Sequence, residues 1–364
     1  MRWHKAFCLL LTMLIGLSPL AACGEQSPAP DETASLRDDG GKIPPEQVKS
    51  GYTWFMPYKE YSNFFLEGRE NEWSKTAQYA DTWGYAVQEL DKFTDEEQQR
   101  GFALLNERDI GLGIELGVLK EWARGQSAEW TYALNKPMLK RFVQNGANLV
   151  GLAFDEPLIN VRWNNDVYTD RVLNGDDDIT FTAKQVADYM RRARADFPGI
   201  ALGDIEVHPY FSSDELIRYI DAVELECQKL GIDGMDFFRL DSYWAKYGKA
   251  TDTDSRYSWT DLIKVEQHCR KRGIAFSLII IASGHEIRPK LANDPAFWYN
   301  GVMEQAQEYL SRGGDIDQYC FESWLADTDG NPIPSEFIPE TTPNTFSHSF
   351  VNFYERFIAP TLHP

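Results

Sequence analysis

The chain has 364 residues and a formal net charge of −20, from 36 Lys and Arg against 56 Asp and Glu. An acid excess of this size argues against nucleic acid as a partner, because nucleic-acid binding depends on Lys and Arg that neutralise phosphates. It argues equally against a protein surface that binds anionic lipids, so any membrane attachment must come from elsewhere in the chain.

The N-terminus has the pattern of an export signal that ends in a lipid-attachment site. Arg2 and Lys5 provide a positive start, and the apolar run at 6–17 is too short to be a membrane-spanning helix. The Leu-Ala-Ala-Cys sequence that ends at Cys23 resembles the bacterial lipobox, which implies cleavage before this cysteine and attachment of lipid to it. The glycine that follows resembles outer-membrane sorting in a Gram-negative host. We expect residues 1–22 to be a signal peptide and the mature protein to be lipid-anchored in the outer membrane of the cell envelope. The alternative is an ordinary secretory signal with an incidental cysteine.

The composition changes after this leader. Residues 23–50 are rich in Pro, Ser, Gly and charge and cannot bury enough apolar surface to fold alone, so they are expected to form a flexible tether. Residues 51–364 are predicted to form one catalytic domain, whose cysteines are Cys227, Cys269 and Cys320. An odd number cannot all pair internally. Cys227 and Cys269 lie on consecutive predicted helices and could form a bridge; the alternative is three buried thiols.

Short β-like runs alternate with helical patterns along the rest of the chain. The predicted strands are 52–57, 84–90, 110–119, 148–157, 200–210, 235–244, 274–284 and 316–324. The predicted helices are 95–109, 182–199, 212–231, 258–273, 294–314 and 346–360. Strands separated by helices pair in parallel, and eight such units in roughly 300 residues predict a (β/α)8 TIM barrel of the α/β class. No GxGxxG follows a strand, which argues against an open nucleotide-binding sheet.

Polar residues gather at the predicted carboxyl ends of these strands, where barrel enzymes carry their reactive groups. In strand order they are Glu115, then Asp155 and Glu156, then Asp204, Glu206 and His208, then Arg239 and Asp241, then His285 and Glu286, and finally Glu322. Alternation places Asp155 on the same face as Gly151 and Ala153, which is expected to point to the barrel axis. Glu206 and His208 share one face of the fifth strand, and this polar face is also expected to point inward.

Tryptophans also fall at or just after strand ends, and flat indole rings beside carboxylates are typical of sugar-binding surfaces. They are Trp54, Trp122, Trp163, Trp244 and Trp324. The competing interpretation for any one of them is ordinary core packing. The residues predicted to bind substrate are Trp54, Glu115, His208, Asp241, Trp244 and Trp324.

Acid groups, aromatic rings and the lack of a nucleophilic Ser or Cys motif favour glycoside hydrolysis, which requires two carboxyl groups. Neighbouring parallel strands lie ~4.8 Å apart, so carboxylates on strands four and five could approach to the ~5–5.5 Å of a retaining pair. The predicted pair is Glu156, or else Asp155, with Glu206; Glu322 is the alternative opposing carboxylate. This pairing requires that Glu156 and Glu206 reach one open cavity.

The motif FDEP at 154–157 resembles the Asn-Glu-Pro motif that ends strand four in the largest clan of (β/α)8 glycoside hydrolases. In that clan the Glu is the acid/base, which implies this role for Glu156. The chain departs from the clan by having Asp155 in place of Asn, and Glu286 lies past the strand-seven end where the clan keeps its nucleophile. The chain is also similar to exopolysaccharide-cleaving galactosaminidase-type barrels, with Asp-Glu after strand four and Glu after strand five, which matches Glu206. Both resemblances imply a cofactor-free hydrolase acting on an oligosaccharide or polysaccharide.

Two other functions stay open at this stage. The displaced carboxylate of strand seven allows a non-catalytic glycan-binding envelope lipoprotein on a degenerate barrel. A metal-dependent barrel lyase or isomerase could use Glu115, Asp155 and Glu206 as oxygen ligands. The scarcity of His and the lack of a Lys at a strand end count against the metal enzyme, so no metal is expected.

Overall fold

The structure is a computed structural model that describes residues 51–57, 60–120, 127–247, 256–282, 294–326 and 331–362. The predicted signal peptide, the tether and the lipid-attachment residue Cys23 lie outside these ranges, as do Trp122, His285 and Glu286. Within the described ranges, no helix combines the length and the apolar character needed to cross a membrane.

Eight parallel strands close into a barrel in chain order, so the predicted (β/α)8 fold is confirmed. The strands are β1 (Tyr52–Met56), β2 (Thr82–Ala86), β3 (Gly111–Leu116), β4 (Leu149–Asp155), β5 (Ala201–His208), β6 (Phe237–Ser242), β7 (Ala275–Ile280) and β8 (Gln318–Glu322). The barrel closes where β8 pairs with β1, from Tyr52 opposite Gln318 to Met56 opposite Glu322. Because all strands are parallel, their carboxyl ends meet at one end of the barrel.

Helices fill the connections between the strands. They are α1 (Tyr61–Phe65), α2 (Ser74–Tyr79), α3 (Val87–Leu90), α4 (Asp95–Glu107), α5 (Ala128–Gln144), α6 (Pro157–Trp163), α7 (Asp170–Leu173), α8 (Asp178–Asp196), α9 (Ser213–Leu230), α10 (Trp259–Arg272), α11 (Pro295–Ser311), α12 (Phe346–Phe353) and α13 (Ala359–Leu362). Short 3-10 turns occupy Glu70–Trp73 and Trp244–Lys246, and a π-helical turn at Tyr354–Ile358 joins the last two helices.

Capping residues define the ends of two of the predicted helices. Thr94 and Glu97 form a reciprocal capping box at the start of α4, in which the side chain of each accepts the backbone N–H of the other. Ser212 and Glu215 do the same at the start of α9, which ends at Gly231 in the left-handed conformation. Each capping box satisfies two amides that a helix otherwise leaves unpaired.

The second strand and helix α5 differ from the prediction, and the short helices α1, α2, α3, α6 and α7 were not predicted either. The second strand spans 82–86, earlier than predicted, because Val87 turns the chain into α3. Helix α5 was not predicted. Its buried face includes the polar residues Thr131 and Asn135, and Pro137 lies inside it, so the apolar periodicity that normally indicates a helix is broken.

The barrel interior below the open end is filled by one large ring. A Cβ atom added to Gly113 would overlap the indole of Trp54, and one added to Gly151 would lie 3.1 Å from it. These glycines are paired across β3 and β4, so both face the axis and leave room for the ring. The guanidinium of Arg239 stacks on the same ring, with its Cζ 4.3 Å from the ring centroid. This Trp54–Arg239 stack forms the floor beneath the strand ends.

The three cysteines of the domain, Cys227, Cys269 and Cys320, are buried and free. The interpretation as buried thiols is confirmed, and the alternative of a bridge between Cys227 and Cys269 is wrong.

Candidate active site

Five carboxyl groups gather at the open end of the barrel, at the ends of four different strands. They belong to Glu115 of β3, Asp155 of β4, Glu156 directly after β4, Asp241 of β6 and Glu322 of β8. Asp155 is central among them. Burial is the main cause that raises the pKa of Asp241, Glu322 and Glu115, and the charge of Asp155 raises all three further. The electrostatic field of one carboxylate therefore reaches the others.

Lys120 holds two of these carboxylates together. Its Nζ lies 2.5 Å from Asp155 Oδ1 and 3.1 Å from Glu156 Oε2. About a quarter of each side chain is exposed, 24% for Lys120 and 22% for each carboxylate, so the group faces solvent at the mouth. Burial alone would lower the pKa of Lys120, but the charges of Asp155 and Glu156 outweigh it and raise that pKa above its ordinary value. The amine therefore stays protonated.

The sequence argument missed Lys120. It lies four residues beyond the end of β3, in a loop where neither strand alternation nor helical periodicity applies. Lys120 also directly follows the predicted third strand, so the stated lack of a Lys at a strand end is wrong, and the loop after β3 brings this Lys over the end of β4.

Glu156 has a strained backbone that turns the chain from β4 into α6. Its φ of 53° is left-handed, a conformation that costs a non-glycine residue ~1–2 kcal/mol. Its amide donates to the carbonyl of Ile205 at 3.0 Å, and its carbonyl accepts from the Asn160 side chain at 2.7 Å. Strained residues concentrate at functional sites. Here the turn places the Glu156 carboxylate beside Lys120, at the rim.

Asp241 and Glu322 bind their protons more tightly than ordinary carboxyls. Burial, followed by the charges of Glu156 and Asp155, raises the pKa of Asp241 to about 7, while Lys120 opposes the rise. Burial, followed by the charge of Asp241, raises the pKa of Glu322 to about 8. Near neutral pH the site therefore holds protonated and ionised carboxyls side by side, the condition that acid–base catalysis requires.

Arg239 provides the positive charge below the acids. The residue is fully buried, and its Nε donates to Ser277 Oγ at 2.9 Å. Its two Nη atoms have no hydrogen-bond partner among the described residues, and the Trp54 face supplies a cation–π contact. The charge of Arg239 lowers the pKa of Glu322 and Glu115 against the larger effect of burial. The guanidinium therefore opposes the effect of burial on these two acids.

The prediction that the polar face of β5 points inward is wrong. This face points outward, so Glu206 does not lie at the mouth. A Cβ on Gly203 would overlap the ring of Phe237 inside the barrel, so the alternate residues of β5 point outward to the helices. Glu206 is fully buried there and accepts hydrogen bonds from the amides of Leu158 at 2.6 Å and Ile159 at 3.3 Å. It stabilises the first turn of α6, so the predicted pair of Glu156 with Glu206 does not share an open cavity.

The other two polar residues on this face also contact helices. His208, predicted to bind substrate, is fully buried between the Tyr247 hydroxyl at Nδ1 and Asp261 Oδ2, which lies 3.3 Å from Nε2. Asp204 accepts a hydrogen bond from the Tyr219 hydroxyl at 2.8 Å. Both are core residues that hydrogen-bond to side chains outside the barrel, and the inward assignment failed because the packed helices also offer polar partners.

The tryptophans near the predicted strand ends lie either in the core or at the rim of the barrel. Trp54 is 2% exposed in the floor, and Trp244 is 7% exposed with its indole N–H donating to the Ile281 carbonyl at 3.0 Å. Neither ring is available to a sugar, so the core interpretation holds for both. Trp324 lies two residues past β8 and is half-buried. Trp163 is 58% exposed at the end of α6.

Neither the family models nor the curated proteins include a match to this chain. Solved structures do match it. A GH5_18 glycoside hydrolase from Streptomyces cattleya, in complex with Manβ1-4GlcNAc, is 10% identical with a TM-score of 0.51, over 85% of this chain and 81% of that chain. A β-glycosidase from Pyrococcus horikoshii is 11% identical with a TM-score of 0.46, over 87% and 98% of the two chains. D-psicose 3-epimerase from Clostridium cellulolyticum H10 is 12% identical with a TM-score of 0.46, over 83% and 98%.

At identities this low the likeness shows the fold alone, and the two lower TM-scores carry no argument. The chain is similar in fold to a (β/α)8 glycoside hydrolase, and its chemistry must be argued from the residues at the mouth.

Proposed function

We propose that this protein is a glycoside hydrolase. It would bind an oligosaccharide or polysaccharide so that the bond to be cleaved lies between the carboxyl groups of Asp155 and Asp241. The observation that supports this function is that these two carboxyls lie at the same mouth but in different electrostatic surroundings. Asp155 is ion-paired with Lys120 at 2.5 Å, whereas burial raises the pKa of Asp241 to about 7. Glycoside hydrolysis requires one carboxyl that gives a proton and one that stays ionised.

In this proposal Asp241 is the general acid. It donates its proton to the glycosidic oxygen while the bond from that oxygen to the anomeric carbon breaks. Asp155 faces the positive charge that develops on the sugar and takes a proton from the water that attacks the anomeric carbon. Burial raises the pKa of Glu156 while Lys120 opposes the rise. Because Glu156 shares Lys120 with Asp155, we assign it to the side of the attacking water and give Asp241 the acid role that the Asn-Glu-Pro resemblance implied for Glu156.

The positions of the strands favour inversion at the anomeric carbon. The retaining pair was expected on neighbouring strands, but Glu206 faces the helices. The carboxyls of β4 and β6 are separated by β5, so their backbones lie at most two strand spacings apart, ~9.6 Å. Side chains that point to the barrel axis bring the two carboxyl groups closer together than the backbones, into the ~6.5–9.5 Å range. Inverting enzymes have this carboxyl separation, which leaves room for a water molecule.

The location that we propose is the cell envelope. The leader and the Cys23 lipobox support attachment to the outer membrane through a lipid, and residues 24–50 would let the barrel reach a polymer near that surface. Labelling with radioactive palmitate, in wild type and in Cys23→Ala, tests this. Equal label in both would contradict lipid attachment at Cys23.

A second candidate is carbonyl chemistry, such as a lyase or isomerase, and the observation in its favour is Lys120. An imine-forming lysine must lose its proton to become a nucleophile. The pKa of Lys120 is instead raised by Asp155 and Glu156 against the effect of burial, so its amine is protonated and occupied. In the described ranges, no three His, Cys, Asp or Glu side chains are arranged to hold a metal ion. The glycosidase is therefore the function better supported by the site.

The test is release of reducing sugar by the domain of residues 45–364 from a panel of polysaccharides. Asp155→Asn and Asp241→Asn should each lower kcat by about 10²–10⁴-fold. Glu206→Gln is the matched control, because it changes a buried carboxyl of the neighbouring strand that does not reach the mouth. Wild-type binding without turnover would support the glycan-binding alternative. Stoichiometric divalent metal in chelator-washed protein would support the metal-dependent alternative.

A further inference from the structure

An aromatic pair stands in solvent at the rim of the barrel. Trp163 is 58% exposed and Tyr210 is 37% exposed, yet their ring centroids lie 5.1 Å apart with the planes at 84°. A ring that only filled the core would be buried, because burial of an aromatic side chain is strongly favourable. The exposed faces of this pair are therefore available for contact with a ligand.

The pair lies at the same end of the barrel as the carboxyls. Trp163 ends α6, which begins directly after Glu156, and Tyr210 lies two residues past the end of β5. Strands β4 and β5 are neighbours, so the two rings come from adjacent strand ends. Helix α6 has seven residues, which places Trp163 on the order of 10 Å along the helix from the carboxyls. A ligand that touches both must extend beyond a single sugar.

The pair is held in place from below. Arg162, next to Trp163, pairs through Nε with Asp178 at 2.6 Å and through Nη1 with Glu215 at 2.8 Å. Its guanidinium also lies 4.5 Å from the ring centroid of Phe211, the residue after Tyr210. These contacts tie the end of α6 to α8, to α9 and to the loop after β5. A surface fixed before binding loses less entropy when a ligand binds.

We propose that Trp163 and Tyr210 form a sugar-binding platform that holds the distal part of an extended saccharide whose reacting bond lies at Asp155 and Asp241. This inference rests on the proposed function and specifies its substrate as a chain of several sugars. Arg162 pairs with both Asp178 and Glu215, so these three side chains carry a net charge of −1, while the two exposed rings themselves form an uncharged aromatic face. Such a face suits the C–H surface of a pyranose. The acidic character of the whole chain disfavours a nucleic acid in the same place.

The test compares substrates of different length. Trp163→Ala should raise KM for the polysaccharide that the wild type cleaves by about tenfold or more, as loss of a central aromatic contact does. It should leave kcat/KM for the shortest cleaved oligosaccharide within about twofold, while Trp163→Phe keeps most of the polymer activity. Leu225→Ala is the matched control, because Leu225 is also exposed, at 49%, but lies on α9. Equal effects of Trp163→Ala on long and short substrates would overturn the platform.

A binding measurement separates this inference from the proposed function. Affinity electrophoresis through mixed-linkage β-glucan, galactomannan and partially deacetylated chitosan reports binding whether or not a bond is cleaved. Retardation of the wild type that is lost in Trp163→Ala and in Tyr210→Ala, but kept in Leu225→Ala, supports the platform even if no sugar is released. Equal retardation of all variants, or no retardation of the wild type in any gel, would contradict it.

Discussion

Lys120 joins the end of β3 to the end of β4 by placing its Nζ 2.5 Å from Asp155 Oδ1. The same nitrogen lies 3.1 Å from Glu156, so one cation serves two adjacent carboxylates. This arrangement keeps negative charge at the mouth while Asp241, facing the same cluster, retains its proton to higher pH.

Replacing Lys120 with Met should remove the charge that offsets Asp155 and Glu156. The two carboxylates are about three-quarters buried, so leaving them without a cation should cost about 1–3 kcal/mol in the free energy of unfolding at pH 7. The pKa of Glu156, which Lys120 lowers, should rise further. Asp155, the proposed base, loses the same cation, so the acidic limb of the pH–rate profile should move to higher pH. Lys120→Arg keeps the charge and is the control. An unmoved acidic limb in Lys120→Met would show that the lysine does not act on the reacting carboxylates.

Glu156→Gly should change stability and activity in opposite directions. Glycine adopts the φ of 53° without the steric cost that Glu bears, which stabilises the fold by about 1 kcal/mol. The substitution also removes a carboxylate from the mouth, so kcat should fall. Chemical denaturation and sugar-release assays measure the two effects. Glu156→Gln keeps the strained backbone and should lose activity without gaining stability from backbone relief. A less stable Glu156→Gly would contradict the strain argument.

Removing Arg239 should make the stability of the protein more dependent on pH. Glu322 has a folded-state pKa of about 8, raised by burial and lowered by Arg239. A carboxyl whose pKa is higher in the folded than in the unfolded state stabilises the fold at low pH. This stability is fully present below the unfolded-state pKa and is lost as pH rises through the folded-state pKa. Without Arg239 the folded pKa rises further, so Arg239→Met should lose more stability between pH 5 and pH 9 than the wild type does.

Ser277→Ala is the matched control for Arg239, because it removes only the acceptor of the Nε hydrogen bond. Its stability should fall by a similar amount at all pH values. Thermal melting at several pH values distinguishes the two variants. Parallel pH curves for Arg239→Met and Ser277→Ala would contradict the role of the guanidinium charge.

Glu206 should affect folding and leave the chemistry intact. Glu206→Ala removes the acceptor of two buried amides at the start of α6, at a cost of about 1–3 kcal/mol. Glu206→Gln retains a carbonyl acceptor, so its loss should be smaller. Neither variant should change kcat by more than about twofold under conditions where it is folded. A kcat loss in Glu206→Gln as large as that in Asp155→Asn would restore this residue to the reaction.

The barrel and most of its acid cluster could be predicted from the sequence. Regular alternation of strands and helices predicts parallel pairing, and parallel strands bring their carboxyl ends together whatever the details of packing. Glu115, Asp155, Asp241 and Glu322 therefore meet because each is the last inward residue of its strand. The small residues Gly151 and Ala153 indicated the correct face of β4.

The errors have physical causes. Strand alternation shows which residues share a face, but it does not show which face points to the barrel axis. On β5 the polar face was assigned to the axis because it is polar, and this assignment was wrong. Gly203, which is small and faces Phe237, carries the same signal that worked on β4 and would have placed Glu206 outward. Lys120 lies in a loop whose path depends on the packed barrel. The floor position of Trp54 depends on the space left by two glycines on other strands.

The proposed acid role of Asp241 is the central claim, and leaving-group dependence tests it most directly. An activated aryl glycoside whose leaving group is a weak base needs little protonation, whereas a polysaccharide needs a full proton. Asp241→Asn should therefore lose about 10²–10⁴-fold in kcat/KM on the polysaccharide and retain most activity on a dinitrophenyl glycoside of the same sugar, while Asp155→Asn loses both. The basic limb of the wild-type profile, near pH 7, should disappear in Asp241→Asn. Equal losses on the two substrates, or an unchanged basic limb, would contradict the account.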